Sequence, residues 1–391
     1  MNALVEVLQV LLYLLIGIPA FLFVLYGILL LVYHGRTTKR NIEDSNGGVA
    51  TSNFEPSVSV VVATHNEEEI ISKKIENLLA SNYPMDKLEL VFADDSDDST
   101  PEIISNYAKK IPNIKLLRFS ERIGYSPSMM AGCQAARGEI IVLNDAGSFL
   151  DPQAIANIAA KFRSGNIGVV TGKDVILNTD EDVGKSETLY QRIYDFLRTS
   201  ETNMDSTFYI KGEATGIRHI LLKDIELPQE TFDTTIGLIA RQKGYRVVYD
   251  PSVKFYEYAP ATHFDRVKQK TIRAANLIKV LWRFRHMFFN KEYGKYGLLT
   301  MPANFAMLVL LPIIVVVWVI GLGIVTVFDP GFAVFVWGGL GVALLALLAI
   351  SKHLVETFLE FEYSLLKAIY QVVFTKRVHD KIDKVSSTRR I

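Results

Sequence analysis

Hydrophobic residues are concentrated near both ends of the chain, in runs long enough to cross a membrane. No charged side chain occurs from Leu8 to Tyr33, from Leu299 to Phe328, or from Gly331 to Ile350. A transmembrane helix needs about 20 predominantly apolar residues. The pattern therefore predicts three transmembrane helices, of which the last two form a hairpin. A cleaved secretory signal is the alternative for the first run, and a buried soluble helix pair is the alternative for the hairpin.

Basic residues flank these runs on one side and predict their orientation. Arg36, Lys39 and Arg40 follow the first run, and Lys352 follows the third, ahead of a basic tail. Positive residues favour the cytoplasmic side of a membrane. We therefore expect an integral membrane protein with its N-terminus outside and with both the central region and the C-terminus in the cytoplasm.

The region between the membrane runs alternates strand-like and helix-like patterns. Compact β-branched or apolar runs, which are typical of buried strands, occur at 57–63, 88–93, 113–119, 139–143, 167–171 and 246–249. Helical patterns lie between several of them, as at 70–79 and 128–136. This alternation predicts an α/β domain with a mostly parallel sheet over residues 55–262. The polar stretch within residues 36–54 predicts a linker.

Two amphipathic helices are predicted beside the membrane hairpin. The first lies within 263–295 and combines a spaced apolar stripe with many cations and Trp282. The second lies at the start of 352–391, where charged residues argue against a membrane crossing. Both are expected to lie in the headgroup region. Packing of their apolar stripes against the protein itself is the alternative.

The composition excludes some classes of function and leaves one feature to explain. The chain has 42 Lys+Arg and 42 Asp+Glu, which disfavours nucleic acid as a partner, and a single cysteine, which excludes an internal disulfide.

Asp94 and Asp98 follow one predicted strand, Asp145 follows another, and Asp233 lies in a later loop. Carboxylates at strand ends can bind a nucleotide, hold a divalent cation or act as a general base. Helix capping is the alternative for any one of them.

These segments, in this order, resemble the membrane-integrated family 2 glycosyltransferases. VSVVVATHNEEEII is similar to the opening strand and nucleotide loop of that family, which implies that Thr64, Asn66 and Glu67 lie near a donor nucleotide. VFADDSDDSTPEII is similar to the segment that contains the base-binding aspartate. The resemblance assigns that role to Asp94, with Asp98 supporting the same loop, and implies a GT-A fold.

The resemblance also implies a divalent cation, Mg²⁺ or Mn²⁺. In ARGEIIVLNDAGSFLDPQAI, Asp145 takes the first position of the Asp-x-Asp signature, but Gly147 stands at the second. One obvious carboxylate ligand is left. His263, in YAPATHFD, is a candidate second metal ligand.

The base and the basic residues are implied in the same way. ETFDTTIGLIARQKGYRVVYDP resembles the element that carries the general base, which would be Asp233, although Phe232 and Thr235 replace its acidic neighbours. Arg218, in KGEATGIRHILL, takes a basic position that lines the donor sugar site. Lys270 and Arg273 match a cationic interface motif, but Ala274 stands where tryptophan is usual. Gly124-Tyr125 replaces a usual Gly-Lys pair.

The function implied by the resemblance is inverting transfer of a sugar from a nucleotide sugar, with UDP favoured by Asp94. The acceptor is expected to be a lipid or a lipid-linked saccharide at the cytoplasmic face of a prokaryotic plasma membrane. Membrane lipids are then partners, and an oligomer is compatible with the sequence. A processive polysaccharide or oligosaccharide synthase, similar to the cellulose, chitin and hyaluronan synthases, is the alternative. An inactive nucleotide-sugar-binding partner is a further alternative.

Overall fold

A computed structural model describes residues 2–36, 54–223 and 232–375. Most of the predicted linker at 36–54 and the basic tail beyond residue 375 lie outside these described residues. So do Lys39 and Arg40, on which part of the predicted orientation rests.

Eight strands form one mixed sheet: β1 Val58–Thr64, β2 Leu88–Asp94, β3 Ile114–Arg118, β4 Ile140–Leu143, β5 Phe149–Leu150, β6 Ile167–Ile176, β7 Thr215–Arg218 and β8 Arg246–Glu257. Their spatial order is β3-β2-β1-β4-β7-β6-β8-β5. The block β3-β2-β1-β4 is parallel throughout, as the alternating pattern predicted. The other half is mixed, because β7 runs antiparallel to both β4 and β6. The sequence missed β5, which has only two residues, and β7, whose residues Thr-Gly-Ile-Arg lack the continuous apolar run of the equally short β4.

Helices cover both faces of the sheet: α2 Ile71–Leu79, α3 Thr100–Ala108, α4 Tyr125–Ala135, α5 Ala154–Lys161, α6 Asp182–Met204 and α7 Phe232–Gln242. Side chains alternate along a strand, so β1 sends Val60 to one face and Val61 to the other. Val60 belongs to a core shared with α2, α3 and α5. Val61 belongs to a second core shared with α4 and α7. Both faces of the sheet are thus buried, which explains the continuous apolar runs.

Three helices are long and apolar enough to cross a membrane: α1 Asn2–Gly35, α9 Tyr296–Phe328 and α10 Pro330–Ile350. Helix α9 contains two π-helical turns, Tyr296–Thr300 and Ala306–Leu310. Helices α1 and α9 pack together at Gly321, where the absent side chain leaves room for Leu12. Small residues at such contacts let membrane helices approach closely.

The two amphipathic helices are α8 His263–Arg283 and α11 Lys352–Phe374. They pack against each other through a third apolar core that contains Ala274, Ile278, Leu281 and Leu365. For these residues, packing against the protein explains the apolar stripe. Trp282 lies outside this core and is 61% exposed. A headgroup position for the outer surface of both helices stays a prediction.

The 23-residue helix α6 was not predicted and joins the sheet domain to the membrane helices. Its Glu201 is fully buried. The carboxylate accepts hydrogen bonds from Thr207 Oγ1 at 3.0 Å, from Asn304 Nδ2 of α9 at 2.9 Å and from Tyr26 of α1 at 3.3 Å. Buried polar groups of this kind require such partners, so this network fixes α1 and α9 against the domain.

We predict that Gly321→Leu will weaken the packing of α1 on α9. A Cβ at residue 321 would lie 2.4 Å from Leu12 Cδ2, whereas a Cβ at Gly323 would meet no atom within 4 Å. Overpacking of this kind costs about 1–3 kcal/mol. Thermal unfolding of the detergent-solubilised protein should show a lower Tm for Gly321→Leu than for the matched control Gly323→Leu. Equal Tm values for the two variants would contradict this packing.

Candidate active site

The nucleotide loop predicted from the sequence lies at the carboxyl ends of β1 and β2. Thr64 and Asp94 are paired in register, and Thr64 Oγ1 donates to Asp94 Oδ1 at 2.7 Å. Ser96 donates to the same carboxylate through its hydroxyl at 2.6 Å. Asp94 has no exposed surface. Its carboxylate therefore holds the two strand ends together, and contact with a nucleotide base stays a prediction.

Several hydrogen bonds connect the loop after β1 to the loop after β2. Asn66, whose φ is +55°, donates its backbone N–H to Ser96 Oγ at 2.8 Å. The backbone N–H of Glu67 donates to Thr100 Oγ1 at 2.7 Å. Asp98 accepts from the N–H of Thr100 at 2.9 Å, at the start of α3. The structure thus brings Thr64, Asn66, Glu67, Asp94 and Asp98 together.

Asp95, which sequence reasoning passed over, fastens a third loop to this edge. Its Oδ2 accepts from the backbone N–H groups of Ile123 and Gly124 at 3.0 and 2.9 Å. Gly124 has a φ of +91°, which favours glycine. These bonds set the start of α4 and therefore the position of the next residue, Tyr125.

Tyr125 lies between the two aspartates predicted to do the chemistry. Its hydroxyl donates to Asp145 Oδ1 at 2.8 Å. A Cβ added at Gly212 would lie 3.5 Å from that hydroxyl and 3.4 Å from Asp233 Oδ2. A side chain at residue 212 would fill this space, so glycine keeps it open. We call Tyr125, Asp145, Glu213, Asp233 and Arg273 the acidic centre.

Glu213 and Arg273 supply the opposed charges of the acidic centre. Arg273 Nη2 of α8 donates to Glu213 Oε1 at 3.0 Å, in the turn before β7. Burial, together with the Glu213 carboxylate, raises the pKa of Asp145 to about 7. Burial also raises the pKa of Asp233 to about 6, although the N–H of Thr234 opposes the shift. Raised pKa values of this kind are typical of functional carboxylates and make Asp233 a better base than an ordinary aspartate.

A buried lysine forms hydrogen bonds with the loop that carries Asp145. Lys74 of α2 is fully buried, and its ammonium donates to Asn144 Oδ1 and to the carbonyl of Ser148. Burial lowers the pKa of Lys74 to about 7, against the raising effect of Asp145. Lys74 thus fixes both ends of the segment that carries Asp145 and Gly147.

The donor set at Asp145 is compatible with a hard divalent cation. Such cations prefer carboxylate oxygens and keep several waters. Asp145 offers a partly exposed carboxylate, and a Cβ at Gly147 would meet no atom within 4 Å. The loop therefore has room for a hydrated ion beside one protein carboxylate.

Two predicted site residues lie elsewhere. Arg218 pairs with Ile140 at the start of β4, the opposite end from Asp145. Its guanidinium donates to the carbonyls of Ile167, Phe162 and Ser164, so it closes a turn at that end of the sheet, and its role at a donor sugar stays a prediction. His263 contacts Glu360 at 2.5 Å and Asp182 at 3.4 Å, and the structure does not bring it to Asp145.

A cleft leads from the acidic centre toward the membrane helices. Lys270 forms an ion pair with Glu187 at 3.1 Å and lies over the ring of Tyr190. Burial lowers the pKa of Lys270 to about 7. The residues that line the cleft combine aromatic, apolar, polar and charged side chains: Glu187, Tyr190, Tyr194, Gln269, Lys270, Arg273, Ala274, Leu277, Leu308 and Phe361. Ala274, unusual at its position, is one of them.

Several site residues were not found from the sequence. Tyr125 was noted only as a departure from a Gly-Lys pair, and Glu213 and Lys74 carry no local pattern. Glu257 lies at the end of β8. Burial and the Glu213 carboxylate raise the pKa of Glu257 to about 8, so its side chain is part of the same group of carboxylates.

The glycosyl transferase family 2 profile matches residues 59–224. Poly-beta-1,6-N-acetyl-D-glucosamine synthase of Staphylococcus epidermidis is 26% identical over 231 residues, which are 58% of this chain and 56% of that protein. Beta-monoglucosyldiacylglycerol synthase of Trichormus variabilis is 32% identical over 130 residues, 32% of this chain and 28% of that protein. The chain therefore matches little more than half of the first relative and less than a third of the second.

A solved structure extends the likeness to nearly the whole fold. The mannosyltransferase of Pyrobaculum calidifontis, determined with GDP-Man and Mn²⁺, superimposes with a TM-score of 0.69 at 22% identity. The match covers 93% of this chain and 100% of that one. The chain therefore contains a glycosyl transferase family 2 domain and has a GT-A fold, and its sequence is similar to those of a polysaccharide synthase and a glycolipid synthase.

Proposed function

We propose that the protein is an inverting glycosyltransferase that moves a sugar from a nucleotide sugar to a lipid or lipid-linked saccharide at the cytoplasmic membrane face. The observation that carries this proposal is that the Tyr125 hydroxyl donates to Asp145 and, together with the Asp233 carboxylate, borders the space at Gly212. A cleft with apolar walls runs from there toward α9. Donor and acceptor would thus meet at the carboxyl edge of the sheet, where ligands bind in such folds.

The donor nucleotide is proposed to lie over the loops after β1 and β2. Thr64, Asn66, Glu67, Asp94 and Asp98 build these loops. A carboxylate can accept from the N–H of uracil or of guanine, and UDP remains our prediction. The relative solved with GDP-Man makes a guanine nucleotide the first comparison to test.

The diphosphate leaving group is proposed to lie between Asp145 and Arg273. Mg²⁺ or Mn²⁺ held by Asp145 would supply Lewis-acid stabilisation of its charge. The guanidinium of Arg273, 52% exposed while paired with Glu213, can also form charge-assisted hydrogen bonds with phosphate oxygens. Tyr125 would then exchange its hydrogen bond with Asp145 for one to the donor.

Asp233 is proposed as the general base. Its carboxylate takes the proton of the acceptor hydroxyl as that oxygen bonds to the anomeric carbon. The bond from that carbon to the phosphate oxygen breaks, and its electron pair leaves with the diphosphate. Attack from the face opposite the leaving group inverts the anomeric carbon, and no covalent sugar intermediate is needed.

A polysaccharide synthase is the second candidate, because the Staphylococcus epidermidis relative makes a polymer. Ala274 argues for the first candidate, since a small residue leaves the cleft wall open where processive relatives carry tryptophan. Incubating membranes with labelled UDP- and GDP-sugars and separating lipid extracts from polymer tests both. One added sugar in the lipid fraction supports single transfer, and a ladder of products supports polymerisation.

We expect Asp233→Asn to abolish transfer while nucleotide binding is retained. General-base catalysis contributes about 10²–10⁴-fold, so kcat should fall by at least that lower value. Asp180→Asn, at an exposed loop position, is the matched control. Full turnover by Asp233→Asn would refute the assignment of the base.

The acid limb of the pH–rate profile should reflect Asp233. The base must be deprotonated, and its raised pKa of about 6 means that the rate falls as the pH drops below about 6. Glu213 contributes to raising that pKa. Glu213→Gln should therefore move the acid limb to lower pH, and an unchanged or higher limb would contradict this account.

We predict that Gly147→Asp will tighten the binding of Mn²⁺ about tenfold, because a second carboxylate joins the ion's ligands. The side chain has room, since a Cβ there meets no atom within 4 Å. Gly165→Asp, equally open but on another loop, is the control. Titration with Mn²⁺ in the presence of nucleotide measures the change. Equal affinities for the two variants would place the cation away from Asp145.

A further inference from the structure

A second cluster of metal-ligating side chains lies where three helices begin. Asp182 is the first residue of α6, His263 is the first residue of α8, and His353 and Glu356 lie in the first two turns of α11. One ligand atom from each of Asp182, His353 and Glu356 lies within 4.8 Å of the other two. We propose that Asp182, His263 and His353 bind a transition-metal dication, with Zn²⁺ the ion that fits best, and that Glu356 orients His353.

The two histidines direct the same ring nitrogen at one carboxylate. Nε2 of His263 lies 3.4 Å from Asp182 Oδ2, and Nε2 of His353 lies 3.9 Å from Asp182 Oδ1. Ligand atoms of a tetrahedral zinc ion at 2.0–2.1 Å are about 3.4 Å apart. The spacing across Asp182 is therefore close to that of a metal site, with small side-chain rotations completing it.

The other nitrogen of each ring is held by a glutamate. Nδ1 of His263 is 2.5 Å from Glu360 Oε1, and Nδ1 of His353 is 3.2 Å from Glu356 Oε2. A metal-bound histidine commonly donates its second N–H to a carboxylate in this way. Arg266, which is buried, in turn holds Glu360.

Both ring nitrogens of His263 face carboxylates, which favours a cation between this ring and Asp182, whereas Nδ1 of His353 also lies 3.3 Å from Ser186 Oγ. A neutral imidazole that donates from Nδ1 has a lone pair on Nε2, which then faces a carboxylate oxygen that also only accepts. Either each ring carries a second proton or a metal ion lies between them. Imidazole and carboxylate ligands together favour Zn²⁺ over Mg²⁺ and Mn²⁺. The site is thus chemically distinct from the all-oxygen donor set at Asp145.

Lys352 is the competing cation. Its ammonium lies 2.8 Å from Asp182 Oδ1, and its side chain is 57% exposed. Exposed ion pairs stabilise a protein little, so a metal ion can displace this one. A bound ion would tie together the first turns of α6, α8 and α11. These helices also line the cleft, so a consequent effect on acceptor entry rests on the proposed function, whereas metal binding does not.

The test is a zinc titration of the full-length, detergent-solubilised protein after removal of metals by chelation. Zn²⁺ competes with a chromophoric chelator, without nucleotide and with millimolar Mg²⁺ present. We expect one zinc ion per chain at micromolar affinity or tighter. His353→Gln and Asp182→Asn should each weaken it at least tenfold, and Lys352→Gln should tighten it severalfold.

Two variants serve as controls. Asp145→Asn alters the acidic centre, and His286→Gln removes an exposed histidine that contacts Gln242 outside the cluster. Both should bind zinc as the unaltered protein does. The proposal is overturned if no zinc binds, if Asp145→Asn loses zinc while His353→Gln keeps it, or if His286→Gln shows an equal loss. Because Lys352→Gln is expected to gain affinity, misfolding cannot produce the expected pattern. Sugar transfer is not measured, so a failure here leaves the proposed activity untouched.

Discussion

Repulsion among carboxylates at one sheet edge is the constraint around which the catalytic domain is built. Burial raises the pKa values of Asp145, Asp233 and Glu257, and the Glu213 carboxylate raises all three further, so each charged form would cost free energy there without compensating charge. Arg273 from α8 and Lys74 from α2 supply positive charge. This concentration of negative charge favours the binding of a cation or a proton at the edge.

Much of the domain follows from the pattern of apolar residues, because a strand buried on both faces must be apolar throughout. That rule located the six longer or parallel strands, and the uncharged runs located the membrane helices. It could not locate β7, whose four residues include Gly216. It also could not locate α6, because the polar and apolar residues of this helix contact three different neighbours and form no single apolar stripe.

The site was predictable where its residues follow strand ends and not where they arrive from distant elements. Asp94 and Asp145 were recognised at strand ends, and Asp233 was predicted in a loop but lies in the first turn of α7. Tyr125, Glu213 and Lys74 act through contacts that exist only after folding, so no local pattern marks them. Arg218 shows the converse. Its position in a motif suggested the donor site, but the antiparallel course of β7 carries it to the far end of the sheet.

The Glu201 network has a consequence for how the acceptor is selected. Because Asn304 and Tyr26 fasten α6 to two membrane helices, the sheet domain cannot rock freely on its anchors. The height of Asp233 above the helix bundle is then set by the length of α6 and of its contacts. Under the proposed function, a fixed height would select an acceptor by the distance of its hydroxyl from the bilayer.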